Sequence, residues 1–243
     1  MARLTIEDRD RGTWVVHDDE AQHPATARPA SSAAPRVVVL ADGFPPPEER
    51  LRAERARADA LVCADGGLRT AWAAGLVPDL VVGDLDSLPG WARERLPAGI
   101  IHHDPGAEDN DLEKALRAAY ARWGAACEIV LLGAGPDQGR SDHALANLGV
   151  LLAAPHRRIQ WVDAAGRMVA LRDGRLTIDD AVDAILSVLP WSPDGATVSE
   201  VGVHYPLDEE RLLLGGRGVS NEIGDETAVV EVHAGVALVW IGA

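Results

Sequence analysis

The sequence predicts an α/β chain in which a parallel sheet with helices on both faces is followed by an all-β domain of sandwich type. From about residue 36 to residue 165, short β-branched runs alternate with helical periods, which is the pattern of a parallel sheet. After about Gly166 the helical periods vanish, and short strands separated by turn residues take over. The strand ends of the first region also carry Asp or Gly clusters, at Asp42-Gly43, Asp65-Gly66-Gly67, Gly83-Asp84-Leu85-Asp86 and Gly133-Ala134-Gly135. In such a sheet these ends share the edge where ligands bind.

Residues 1–35 read as a flexible N-terminal extension. Arg3, Glu7, Asp8, Arg9, Asp10 and Arg11 crowd its start, Thr13–Val16 could form one short strand, and 22–35 is rich in Ala, Pro, Ser and Thr without a hydrophobic period. Order begins at Arg36–Leu40, a β-branched run suited to a buried parallel strand. Pro45 to Pro47 open a helix over about 48–58. Leu61–Ala64 is the second strand, and the helix after Asp65-Gly66-Gly67 ends near Ala74 with Gly75 at its C′ position. Leu80–Val82 is the third strand, and Trp91–Leu96 is a short helix. Asp111–Trp123 is a longer one with Leu112, Ala115, Leu116 and Ala119 on one face. Glu128–Leu132, a helix over 141–152, and Arg158–Val162 complete a domain of residues 36–165.

The sandwich domain, 166–243, reads as strands at 168–171, 175–178, 184–189, 196–203, 211–214, 227–232 and 236–241. His233-Ala234-Gly235 gives the last two a hairpin signal.

The 243 residues are 47% hydrophobic, enough for packed cores in one large or two modest domains. A net charge of −15 repels polyphosphate backbones and anionic membrane surfaces, so neither nucleic acid nor membrane is an expected partner. The two cysteines, Cys63 and Cys127, lie in apolar segments without metal-ligand spacing and read as buried thiols of a reducing compartment. The N-terminus has no signal-peptide pattern and no apolar run reaches membrane-spanning length, so a cytoplasmic location is expected.

The chemistry centres on Gly83-Asp84-Leu85-Asp86-Ser87. Two carboxylates one residue apart in extended backbone point the same way, roughly 6–7 Å apart. Like charges that close repel unless a cation joins them, and oxygen-only ligands favour Mg²⁺ shared with substrate phosphates. A polar turn in which Asp86 or Ser87 caps the next helix is the bland alternative. Asp65-Gly66-Gly67 lets an anion approach the backbone at a helix start, or is a simple βα turn. Glu108, Asp109, Asp111 and Glu113 form a second acidic cluster in which Asn110 or Asp111 suits an N-cap, and Asp111 could complete a metal site with Asp84 and Asp86. In 133–143, Arg140 could pair with phosphate oxygens. Asp142 could cap the helix, hold Arg140 or bind a nucleotide group, and His143 alone reads as a packed or capping histidine. No Walker-type loop is present.

Taken together, Asp65-Gly66-Gly67, Gly83-Asp84-Leu85-Asp86-Ser87, the run Asn110 to Leu116, Gly139-Arg140-Ser141-Asp142-His143, Tyr205-Pro206-Leu207 and Gly218-Val219-Ser220-Asn221-Glu222 resemble the ordered motifs of thiamine pyrophosphokinases, over about 37–241. The resemblance implies a Rossmann-like catalytic domain followed by a β-sandwich, a homodimer, and transfer of diphosphate from ATP to the hydroxyl of thiamine with release of AMP. It implies that Asp84, Asp86 and Asp111 hold Mg²⁺ and carry the catalysis. It also implies ATP placement by Asp65, Gly66, Gly67, Arg140, Asp142 and His143. Ser220, Asn221 and Tyr205 would meet thiamine, with the sites completed across the dimer. Asn110 stands where the family has threonine, Glu108 where it has aspartate and Ala107 where it has lysine, and Pro136-Asp137-Gln138 loosens the glycine loop.

Three rival readings remain. A pterin pyrophosphokinase would use the same fold on a different hydroxymethyl acceptor. A haloacid-dehalogenase-type phosphatase would need its nucleophile on the first strand and a downstream lysine, whereas Lys114 is the sole lysine. A non-catalytic thiamine or nucleotide sensor would have no need of both acidic clusters.

Overall fold

The structure, a computed structural model, describes residues 2–8, 12–17, 34–136, 140–154 and 157–242. In chain order the elements are β1 (Arg3–Asp8), β2 (Gly12–His17), β3 (Arg36–Leu40), α1 (Glu48–Ala56), β4 (Ala60–Ala64), α2 (Gly67–Ala73), β5 (Leu80–Gly83), α3 (Ala92–Arg95), β6 (Ile101–His103), α4 (Asp111–Trp123), β7 (Glu128–Leu132), α5 (Ser141–Ala153) and β8 (Ile159–Val162). There follow β9 (Gly166–Arg172), β10 (Gly174–Asp179), β11 (Ile185–Pro190), β12 (Ala196–Val201), β13 (Leu207–Leu212), β14 (Asn221–Glu222), β15 (Thr227–Ala234) and β16 (Val236–Gly242). The chain divides into two compact units. One holds β3 to β8 with their helices, and the other joins the N-terminal strands to β9–β16.

In the α/β unit the strand order is β8-β7-β3-β4-β5-β6 with parallel pairing. Every residue of β3, β4 and β5 is buried, because parallel strands covered by helices on both faces have no solvent side. The chain winds one way from β3 through β6, then returns to β7 and β8 on the other side of β3. This reversal beside β3 opens a crevice at the carboxyl ends of the strands. The apolar face of α4 packs on β4 and β5 through Leu112, Ala115, Leu116 and Ala119. Sequence reasoning missed β6, a short edge strand whose His102 and His103 face solvent and whose residues show no apolar alternation.

In the second unit one sheet runs β13-β12-β15-β10-β1-β2 and the other includes β14-β11-β16-β9, all antiparallel. Three expectations are corrected here. The flexible extension is wrong for residues 3–8 and 12–17, the strand expected over Thr13–Val16 falling within β2: β1 pairs with β10 and β2 with β1, and Leu4, Ile6 and Trp14 enter the sandwich core beside Leu176 and Ile178. The charged residues mask a period-two pattern in which Leu4 and Ile6 point inward while Thr5 and Glu7 do not. The tract 18–33 lies outside the described residues. The hairpin between the last two strands is also wrong, since β15 and β16 belong to different sheets. Gly235, at φ 89°, carries the chain around a corner from one sheet to the other, and a Cβ there would sit 2.6 Å from Gly195 O. The strand expected over 211–214 occupies Leu207–Leu212 instead, because Leu213 and Leu214 are exposed while Leu207 and Leu212 are buried.

If residues 3–8 are structural, Ile6→Ala should destabilise the protein by ~2–4 kcal/mol in chemical denaturation. A flexible extension would leave the midpoint unmoved.

Candidate active site

The site is built from the loops that follow β3, β4, β5 and β7. They enclose a cavity of about 700 Å³, lined among others by Asp42, Asp65, Asp84, Asp111, Lys114 and Arg140. That volume falls in the usual range for a small-molecule site.

Asp65 is its deepest acid. It is 4% exposed and adopts φ 37°, a left-handed conformation that Asp tolerates better than most residues. Its amide donates to Val82 O and its Oδ2 accepts from the Ser87 amide at 3.2 Å, while Oδ1 is buried with no partner. Burial raises its pKa, and the nearby charges of Asp111 and Asp84 raise it further against the opposing hydrogen bond from Ser87. Asp84 and Asp86 stand above it on an exposed turn. Asp84 Oδ1 accepts from the Asp86 amide at 3.2 Å, and Ser87 Oγ donates to Asp86. One carboxylate oxygen from each of Asp65, Asp84 and Asp86 falls within 4.8 Å of the others. Gly83 makes the approach feasible, for a Cβ there would lie 2.8 Å from Asp65 Cβ and 3.2 Å from Asp111 Oδ1.

Asp111 borders this trio without joining it, and its Oδ1 accepts from Lys114 Nζ at 3.1 Å. The side chain of Lys114 is 3% exposed, so the chain's sole lysine is spent inside the acidic site. The other acids of 108–113 serve elsewhere. Glu113 closes a capping box with Asn110, its carboxylate accepting from the Asn110 amide at 3.0 Å while Asn110 Oδ1 accepts from the Glu113 amide. Asp109 pairs with Arg117, which also binds Asp104 at 2.8 Å and holds that carboxyl below its ordinary pKa. The segment 84–87 is a polar turn, but the helix cap expected of Asp86 or Ser87 is not seen: α3 begins after Trp91 with no side-chain cap, and Ser87 bonds to Asp65 and Asp86 instead.

Among the expected nucleotide contacts, Arg140 and His143 line the cavity. Asp142 takes both ends of the Arg140 guanidinium at 3.0 Å, which draws its carboxyl down to about 2. Of the alternatives for Asp142, holding Arg140 is the one seen. Gly66 and Gly67 form the start of α2 behind Asp65. Residues 137–139, part of the expected glycine loop, lie outside the described residues. Sequence reasoning missed Arg69 and Asn147. Arg69 donates to Asp42 at 2.5 Å and to Ser87 O at 2.6 Å, tying the β3 and β5 loops together. Asn147 donates to Ala134 O at 3.0 Å. The faint signal for Asn147 was a polar residue amid the apolar run of α5.

In the other unit, Tyr205, Ser220 and Asn221 lie close together. The Asn221 amide bridges Tyr205, Glu222 and Glu200, and Ser220, at φ 61°, donates its amide to Ser187 Oγ at 3.0 Å.

Comparison with known proteins follows the same two-part division. Residues 51–162 match a family model described as thiamin pyrophosphokinase, catalytic domain, and residues 175–237 match thiamin pyrophosphokinase, vitamin B1 binding domain. The chain is 24% identical over 211 residues to thiamine pyrophosphokinase 3 of Oryza sativa, covering 76% of this chain and 78% of the relative. It is 28% identical over 166 residues to the thiamine pyrophosphokinase of Bacillus subtilis, covering 65% and 76%. The fold resembles the crystal structure of Bacillus subtilis thiamine pyrophosphokinase, with TM-score 0.73, 22% identity and coverage of 86% and 99%. It also resembles that of Candida albicans, with TM-score 0.74, 16% identity and coverage of 86% and 89%.

The buried, half-paired charge of Asp65 opposes folding when no cation is present. Asp65→Asn should therefore raise the melting temperature in EDTA by about 2–4 °C, measured by thermal denaturation, while abolishing activity.

Proposed function

The chain belongs to the thiamine pyrophosphokinase family, and we propose that it works through a Mg²⁺ site formed by Asp65, Asp84 and Asp86, with Asp111 at its border. The family's activity is transfer of diphosphate from ATP to thiamine, and the chain is an enzyme of that kind. The match to a vitamin B1 binding domain also disposes of the pterin and phosphatase readings.

The observation that carries the metal reading is the orphaned, buried Oδ1 of Asp65 within a trio of carboxylates spanning no more than 4.8 Å. An all-oxygen donor set of this kind suits Mg²⁺, which binds a few carboxylates and completes its shell with water and phosphate. This adds Asp65 to the ligands expected from the family motif and moves Asp111 to the rim. Bound there, the ion would offset the acids and draw the phosphates of ATP toward them.

The remaining steps fall to side chains. Lys114 partly neutralises Asp111 and keeps one cation beside the phosphates. Arg140 binds phosphate oxygens with the donors it now gives to Asp142. Arg69 holds the β3 and β5 loops at fixed spacing, so the acids need not reorganise as the substrate arrives. Ser220 and Tyr205 meet the thiamine ring, and Asn221 shapes their surface. The thiamine hydroxyl attacks the middle phosphorus, AMP leaves, and positioning with charge neutralisation supplies most of the rate.

We further propose a homodimer in the cytoplasm. Support for the dimer comes from α5, whose apolar sequence buries only Leu151 and leaves Leu145 65% exposed, with Phe44 59% exposed in the same unit. Support for the location comes from the buried thiols of Cys63 and Cys127. Among the described residues no helix is long and apolar enough to cross a membrane.

AMP and thiamine diphosphate should appear together from ATP and thiamine, and EDTA should stop both. Asp84→Asn should lower kcat by about 10²–10³-fold with an unchanged melting temperature, and retained turnover would remove the metal role. Leu145→Glu should convert a dimer to a monomer in sedimentation equilibrium; an unchanged mass would place the dimer contact elsewhere.

A further inference from the structure

Glu200 occupies a position where a carboxylate has no evident business. Along β12 the residues Ala196, Val198 and Glu200 point inward by the strand's period of two, and the first two belong to the sandwich core. Glu200 is 0% exposed. Its Oε2 accepts from Asn221 Nδ2 at 2.7 Å, and its Oε1 is buried with no partner. Burial raises its pKa against the lowering effect of that bond. An aliphatic side chain would suit this row better for stability alone.

What Glu200 holds is an amide whose capacity is full. Asn221 Nδ2 donates to Glu200 and to Tyr205 O at 2.9 Å, and Asn221 Oδ1 accepts from the amides of Tyr205 and Glu222, each at 3.0 Å. Three of these four partners are backbone groups of Tyr205 and Glu222, and Glu200 is the side chain that takes the second Nδ2 hydrogen and anchors the nitrogen end of the amide to β12. The His204 amide donates to Glu222 O, and Val203 and Ile223 form a bridge, so the same clip joins the turn at 203–205 to the strand at 221–223. Ser220 and Tyr205, the latter 73% exposed, face solvent from the two joined segments.

We propose that Glu200 is a positioning residue for thiamine recognition: it orients the Asn221 amide, and Asn221 clips the Tyr205 turn to the Ser220 strand so that both present one surface to the substrate. Asn221 is then a strut of the thiamine site rather than a hydrogen-bond partner of the ring. The inference rests on the assignment of this surface to thiamine.

Steady-state AMP release by the full-length enzyme, with ATP and thiamine varied separately, tests it. Glu200→Asp keeps the charge but withdraws the carboxylate from Asn221, and should raise the thiamine KM about tenfold or more while the ATP KM and kcat stay within about twofold. Glu200→Gln keeps the length and an acceptor oxygen, and should hold the thiamine KM within about threefold. Asn221→Ala should raise the thiamine KM as Glu200→Asp does, and the double variant should add nothing. An unchanged thiamine KM in Glu200→Asp, an equal loss in Glu200→Gln, or a parallel rise in the ATP KM overturns the proposal. If Glu200→Asp does not fold, Asn221→Ala with Glu200→Gln decides: Glu200→Gln must be silent in the Asn221→Ala background, and an added loss overturns the proposal. Failure of the surface assignment looks different, because Tyr205→Ala and Ser220→Ala would then leave the thiamine KM unchanged as well.

Discussion

The α/β unit is arranged around a repulsion. Asp65, Asp84 and Asp86 bring carboxylate oxygens within 4.8 Å of one another, and the inner one is almost wholly buried. Left to themselves, such groups separate or take up protons. Here the backbone prevents separation. The Asp65 amide is fixed to Val82 O on the neighbouring strand, the Ser87 amide is fixed to Asp65 Oδ2, and Gly83 allows the loops to close over one another. Arg69 stitches the β5 loop to Asp42 from outside. The sheet supplies the rigidity: β3, β4 and β5 have no exposed residue, so the ends they project cannot drift to relieve the charge.

The position of the site follows from topology. Winding from β3 to β6 and then back to β7 puts the reversal beside β3, and the loops after β3, β4, β5 and β7 all border it. These are the loops whose Asp and Gly clusters stood out in the sequence. The sandwich unit solves a different problem, the presentation of Ser220 and Tyr205 on a surface formed by irregular chain. Its solution is a side-chain amide used as if it were backbone, giving and taking four bonds at Asn221.

The strands of the parallel sheet were legible because a strand buried on both faces must be continuously apolar, as Val37 to Leu40 and Ile129 to Leu132 are. The helix Asp111–Trp123 was legible from its period and its cap. Asp84 and Asp86 were visible because side chains two apart on extended backbone share a side. Asp65 was visible as a residue but not as their companion, since contact between successive strand ends depends on pairing that a linear reading does not give. Arg69 and Lys114 were hidden for a related reason: their roles depend on which loops they reach. Residues 3–8 were misread because Arg3, Glu7 and Asp8 around Leu4 and Ile6 in β1 resemble the charges of a tail. The 233–235 turn was misread because a tight glycine turn serves a hairpin and a sheet-to-sheet corner equally well.

A protein with net charge −15 must mark one acidic place as different from the rest. Several acids around that place and elsewhere are paired. Asp104 and Asp109 are answered by Arg117, Glu113 by the open end of α4, Asp142 by Arg140, and Glu54 by Arg36 in a buried pair. The carboxylates at the rim of β4 and β5 face one another instead, with Lys114 on Asp111, the Ser87 amide on Asp65, the Asp86 amide on Asp84 and Ser87 Oγ on Asp86. The departures from the family motif fit this division. Asn110, in the threonine's place, still accepts the first-turn amide and so still fixes Asp111 at the start of α4. Glu108 is exposed and Asp109 pairs with Arg117, so neither belongs to the carboxylate trio above Gly83.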